Sequence, residues 1–346
     1  MKNAVLSGLM TALWLMTGCG ATDTGPAAPG AVPHGKLVRR LTVDGVQREV
    51  VLHVADKVDG TKAVPVVFMI HGTSGSGEKF YNISGWREKA DAEGFIAVFP
   101  SALSYCLGDD EDYDHVVEAD EFKVTTKWAA GALGTASMPL CTDAQIAGLS
   151  ATRQASIESR RVRDDVAFFD AILASIEAEL PVDPRRLYVS GFSNGAQMSG
   201  RLLMERSSTF AAFAMAAGGP SVPGPAARPA PVVFSVGSMD DGFRTAIGVS
   251  ELPLDASLAS LAPLNALVGT VTSAVQLDPT RYTFATGPVR GKTVSTFTYS
   301  RSLIGAGNQL VVAVVEDATH QYSNGENHPV VMTDFLWPFF SQYVLP

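Results

Sequence analysis

The chain has 346 residues, 46% of them hydrophobic and 18% charged, enough for one large core and for one or two domains. A formal charge of -9 and a pI near 5.2 speak against a nucleic-acid partner, because phosphate binding needs a basic face. Such an acidic surface mainly favours solubility.

Met1-Lys2-Asn3 is followed by an apolar run at 4–16 and by Thr17-Gly18-Cys19, the charged, apolar and small segments of a secretory signal over 1–19. The run is too short for a stable membrane span. Leu15-Met16-Thr17-Gly18-Cys19 also resembles a bacterial lipobox, which implies a lipidated Cys19 as mature N-terminus and membrane attachment only through that lipid. Met16 departs from the usual leucine, so simple secretion stays open beside an outer-envelope location. Residues 20–35, rich in Ala, Gly and Pro, read as a flexible tether, and 36–346 as one domain.

Runs at 37–43, 47–54 and 64–70 read as opening strands, 86–93 as a helix and 95–100 as a buried strand stopped by Pro100. The rhythm then breaks, and 101–159 is predicted to be an irregular insertion that carries specificity loops. Without Cys19, Cys106 and Cys141 are left as an even pair in this insertion. An oxidising compartment predicts a disulfide between them; two unconnected buried thiols are the alternative. Between them Asp110, Asp112, Asp114, Glu118 and Glu121 follow the ligand spacing of an EF-hand loop, with His115 where a glycine normally permits the turn. That spacing predicts a structural calcium site, against the plainer reading of a solvated acidic loop.

Regularity returns in a helix predicted over 161–180, with Val162, Val166, Phe169, Ile172, Leu173 and Ile176 on one face and with Pro181 and Pro184 ending it. Strands follow at 187–191, 210–217, 231–237 and 309–315, and helices at 194–206, 255–267 and 332–344. Strands alternating with helices imply an α/β class with a mainly parallel sheet covered on both faces. Residues 101–159 and 243–307 are expected to wall the pocket.

Gly191-Phe192-Ser193-Asn194-Gly195 matches G-x-S-x-G between a predicted strand and a predicted helix, the context of a nucleophile elbow in an α/β-hydrolase fold. Ser193 needs a base, and only His320 and His328 follow it in the chain, as the serine, acid, histidine order requires. His320 follows the last strand through a short loop, whereas His328 precedes Pro329 and lies further out. The acid should follow the strand at 231–237, where either Asp240 or Asp241 can orient the imidazole. His71-Gly72-Thr73 follows the strand at 64–70 and reads as an oxyanion loop, with the backbone amides of Thr73 and Asn194 as donors.

The chain resembles the esterase and polyhydroxybutyrate depolymerase group of α/β-hydrolases, which also holds feruloyl and acetylxylan esterases. The resemblance is carried by Arg163-Asp164-Asp165-Val166-Ala167-Phe168, by 182–196 around the elbow, and by Leu336-Trp337-Pro338-Phe339-Phe340. It implies Asp240 as the acid, since the family's G-T-x-D turn maps onto 237–240. The family's G-H-x-W-P is only partly kept in Thr319-His320-Gln321-Tyr322, so Tyr322 is expected to take the place of a rim tryptophan.

These readings converge on a secreted serine ester hydrolase with Ser193, His320 and Asp240 as catalytic residues, needing no organic cofactor. Its expected substrates are short-chain or polymer-derived esters: acetyl or feruloyl groups on polysaccharide, or hydroxyalkanoate polyester. A monomer is expected. Two alternatives stay open, a catalytically silent envelope lipoprotein that binds a glycan or partner and an acyltransferase on the same scaffold. Trp128 and Tyr105 read either as aromatic platforms for substrate or as buried core.

Overall fold

The computed structural model describes residues 32–108 and 121–346. The chain enters on a hairpin of β1 (Gly35–Val43) and β2 (Val46–Val54), turned at Asp44-Gly45, both of which have positive φ. Asp-Gly suits this turn because a mirror-image turn matches the twist of its strands and needs left-handed backbone at both central residues. β3 (Val64–Ile70), helices α1 (Gly77–Ile83) and α2 (Trp86–Glu93), and β4 (Ile96–Pro100) follow. The insertion contributes β5 (Ser104–Gly108), β6 (Phe122–Thr126), α3 (Asp143–Ala147) and α4 (Ala151–Ala155). Next come α5 (Asp165–Glu177), β7 (Val182–Phe192), α6 (Asn194–Arg206), β8 (Ala212–Ala216), β9 (Val232–Gly237) and α7 (Asp241–Arg244). The chain closes through α8 (Ala262–Ala274), β10 (Thr283–Val289), β11 (Lys292–Tyr299), β12 (Leu310–Val315) and α9 (Met332–Phe340).

One ten-stranded sheet runs β1-β2-β4-β3-β7-β8-β9-β12-β11-β10. Pairing is parallel from β4 to β12 and antiparallel at both ends. The expected parallel sheet is therefore its centre, where β4, β8 and β9 are buried at every residue. Strands covered on both faces must be apolar on both, so these segments lack alternation. Phe68 packs against Phe169 of α5 with ring centroids 5.8 Å apart, while Tyr188 stacks on Phe340 of α9 at 5.1 Å. Phe68 is in register with Val189, so its strand neighbour Tyr188 points the other way and the two helices cover opposite faces.

α5 begins later than predicted. The Asp164 carboxylate accepts the Val166 N–H, a cap that starts the helix there, and Val162 stands outside it, exposed. Pro184 lies within β7 rather than ending a helix. The insertion is also more ordered than expected: β5 and β6 form a two-stranded sheet, and Cys106 is joined to Cys141 in a disulfide across a sequence separation of 35. Five-residue strands of mixed polarity carry too little periodicity to be read, and their partners are supplied by tertiary pairing. β10 and β11, in the stretch 243–307 for which no strand is predicted, pair at the sheet edge, where Gly287 and Pro288 are tolerated. The helix expected over 255–267 is a short 3-10 turn, Ala256–Ser260, followed by α8.

Of the calcium candidates, Asp110, Asp112, Asp114 and Glu118 lie outside the described residues, as do the leader and Cys19. Among the described residues no group of three or more His, Cys, Asp or Glu is placed to hold a metal, and no helix is long and apolar enough to cross a membrane.

A buried ion pair joins the hairpin to α5. The Arg48 guanidinium donates to Asp165 Oδ1 at 2.7 Å and lies 4.1 Å above the Phe168 ring, while Asp165 Oδ2 accepts the Ala129 N–H at 2.7 Å. Removing one partner of such a pair leaves a bare charge in the core, so Asp165→Ala is expected to cost about 3–5 kcal/mol. Urea unfolding monitored by tryptophan fluorescence measures this.

Candidate active site

β7 ends at Phe192 and α6 begins at Asn194, so Ser193 alone makes the turn, at φ 53 and ψ -120. That conformation is costly for a residue with a Cβ, on the order of 1–3 kcal/mol, and persists only where its surroundings impose it. Here they do. A Cβ on Gly191 would sit 2.1 Å from the Gly195 carbonyl oxygen, and one on Gly195 would sit 2.2 Å from the Ile70 oxygen, so strand and helix pack at backbone distance. The Ser193 N–H is anchored to the Ala216 oxygen at 2.8 Å.

The acid and histidine loops leave adjacent parallel strands, with Gly237 of β9 in register with Val315 of β12. They then run side by side: the Met239 N–H bonds Ala318 O at 2.9 Å, and Ser238 Oγ accepts the Asp317 N–H at 2.9 Å. A Cβ on Gly237 would lie 1.9 Å from Ala318 O, which is why that position is glycine. The loops bring Asp240 Oδ2 within 3.0 Å of His320 Nδ1, and His320 Nε2 within 3.0 Å of Ser193 Oγ. A carboxylate only accepts, so Nδ1 carries the proton of the neutral ring and Nε2 accepts from the serine hydroxyl. Asp240 is fully buried and its other oxygen accepts the Gly242 N–H at 3.0 Å, whereas Asp241 is exposed and pairs with Arg244 at 2.6 Å. His328 is taken up elsewhere, buried and donating from Nε2 to Glu316 O at 2.9 Å.

Thr73 and Asn194 line the same cleft as Ser193 and His320, a cavity of about 360 Å³. As the first residue of α6, Asn194 has an N–H with no intrahelical acceptor. The Thr73 amide is oriented through the other end of its peptide: Gly72 O accepts from His71 Nδ1 at 2.7 Å and from the Gly75 N–H at 3.1 Å. In a trans peptide the Thr73 N–H then points the opposite way. His71 is suited to this task because burial pushes its pKa down to about 4, and its Nε2 accepts the Ala102 N–H at 3.0 Å, leaving the proton on Nδ1.

No family model matches the chain. Over 237 residues it is 27% identical to NocK of Nocardia uniformis subsp. tsuyamanensis, named as an esterase, a match covering 67% of this chain and 56% of that protein. Over 56 residues it is 43% identical to an Aspergillus clavatus protein named as feruloyl esterase C, covering 16% of this chain and 21% of the other. The chain thus spans little more than half the length of the first relative and about a fifth of the second. Among solved structures, an S-formylglutathione hydrolase from Agrobacterium tumefaciens shares the fold at 13% identity with a TM-score of 0.51, covering 90% of this chain and 96% of that one. The chain is thus similar in sequence to proteins named as esterases, and it has the α/β-hydrolase fold.

Several side chains differ from expectation. Tyr322 is buried instead of standing on the rim; its hydroxyl accepts from Trp86 Nε1 at 2.9 Å, and burial pushes its pKa up to about 12. Trp128 and Tyr105 are buried as well, so neither is a platform for substrate. Lys127 and Phe243 come to the cleft wall from the two segments expected to form it, whereas sequence reading missed Gln197, Gly218 and Gly219 there. The Gly218-Gly219 pair after a strand is the one signal that marked any of them; a Cβ on Gly218 would lie 2.5 Å from Ser193 O.

The His320 pKa is raised above its ordinary 6.5, first by the hydrogen bond to Asp240 and then by the charges of Asp240 and Asp241, against the opposing effect of burial. The imidazole therefore stays protonated to higher pH than a free one, and Asp241→Asn, which removes one of those charges, is expected to move its titration to lower pH. NMR titration of the His320 ring in both proteins checks the sign.

Proposed function

We propose that the chain is a serine carboxylic ester hydrolase working through an acyl-enzyme. The observation that carries this reading is the chain of two 3.0 Å hydrogen bonds from Ser193 through His320 to buried Asp240, set on a strained turn. Ser193 Oγ attacks the ester carbonyl while His320 Nε2 takes its proton; the tetrahedral oxyanion is held by the Thr73 and Asn194 amides. The imidazolium, stabilised by Asp240, hands that proton to the departing alcohol. Water then attacks the acyl-enzyme by the same route in reverse and releases the acid.

The proposed substrates are short-chain or polymer-linked esters: acetyl or feruloyl groups on polysaccharide, or short hydroxyalkanoate polyester. A cleft of about 360 Å³ suits a small acyl group or one aromatic acid. Phe243 supports the same limit, because it lines both this cleft and the apolar packing around Ile247, Leu258 and Leu264 and so closes the route inward. Export belongs to the proposal too, supported by the leader pattern over 1–19 and by the Cys106–Cys141 disulfide, a bond that persists in oxidising compartments.

The test is a parallel assay on acetylated xylan, methyl ferulate and polyhydroxybutyrate film, with Ser193→Ala as blank. Ser193→Ala is expected to lose on the order of 10⁶-fold in kcat and Asp240→Asn about 10⁴-fold, with both proteins folded. Wild-type protein inert on all three substrates and on p-nitrophenyl acetate would sink the reading.

A further inference from the structure

We propose that residues 125–128, where β6 leaves the insertion, are the positioning element of the oxyanion hole, with Lys127 and Trp128 as its two positioning residues. The inference rests on the ester-hydrolysis reading and extends it to a segment that touches neither the serine nor the histidine in the hydrogen-bond network described above.

Both amides that face the developing oxyanion lie on short backbone stretches. Thr73 sits in the loop after β3, in which Ser74 adopts left-handed backbone with a φ of 61, a conformation that a non-glycine residue keeps only with outside support. Residues 125–128 supply that support atom by atom. The Ser74 N–H donates to Thr126 O at 3.1 Å, and the Thr126 hydroxyl donates to Gly75 O at 2.7 Å. Ser74 Oγ and Thr125 Oγ1 share a hydrogen bond at 2.7 Å. Lys127 Nζ donates to Thr73 Oγ1 at 3.0 Å, on the very residue whose amide is the donor.

Trp128 then ties the loop to the elbow. Its indole Nε1–H donates to His71 O at 2.8 Å, and its backbone N–H donates to Asn194 Oδ1 at 2.7 Å. One four-residue stretch is thus bonded to both stretches that present the amides, and fixes their separation. The stretch is itself held from the far side of the insertion, since β5 pairs with β6 and Cys106 of β5 is bonded to Cys141. An oxyanion donor acts only where charge develops, so displacing it slows the chemical step and leaves ground-state binding almost unchanged.

Lys127→Met keeps the stem and removes the donor to Thr73; Trp128→Phe keeps an aromatic ring and removes the donor to His71. With p-nitrophenyl acetate, each is expected to lower kcat about 10- to 100-fold with KM within about twofold, and to leave the acid limb of the pH profile in place. Lys127→Arg, which retains a donor, is expected to recover most of the lost rate. Variants that melt like wild type and keep its kcat, or that change KM alone, overturn the positioning role. Wild-type protein that neither turns over this ester nor reacts with a fluorophosphonate probe overturns the hydrolase reading, and the positioning role falls with it.

Discussion

The backbone at Ser193 is the constraint around which this molecule is arranged. Ser193 is held at φ 53 because the residues two positions to either side have no side chains and the elements they belong to cannot separate. Gly191 and Gly195 meet the first condition, since their missing Cβ atoms let β7, α6 and the end of β3 approach at backbone distance. The second is met by burial: β7 is flanked by β3 and β8 in parallel register, and α6 buries Ala196, Met198, Leu202 and Leu203 against them. The cost of one strained residue is small beside the apolar surface that would be exposed if strand and helix parted.

Topology does the rest of the gathering. The loop that carries Thr73 leaves β3, the serine leaves β7, the aspartate leaves β9 and the histidine leaves β12, all from carboxyl ends of strands in the parallel part of the sheet. Loops at that edge converge because parallel strands share a direction, which is why ligands of open α/β sheets bind there. Asp240 and His320, 80 residues apart in the chain, meet because their strands are neighbours in register.

The same side chain serves three ends here, and environment decides which. His71 is buried and neutral, with both ring nitrogens committed to backbone groups, so it acts as a rigid spacer behind the Thr73 amide. His328 is buried and bonded to the Glu316 carbonyl, where it fixes the loop that carries His320. His320 alone faces the cleft with a carboxylate behind it and a hydroxyl in front, and its proton affinity is raised accordingly.

Much of this was legible in the residues themselves. The G-x-S-x-G turn, the apolar runs of β3, β9 and β12, and the glycines that permit close approach are local requirements, and local requirements leave local marks. Chain order narrowed the histidine to two positions, and the strand at 231–237 narrowed the acid to two adjacent aspartates. What only the tertiary structure decided is the distances at which Ser193, His320 and Asp240 meet, that Tyr322 and Trp128 face inward, and that the insertion brings Lys127 to the cleft wall. The reason is physical: burial and contact between distant segments depend on strand neighbours and cross-chain bonds, and no periodicity within a segment encodes the partner that will lie against it.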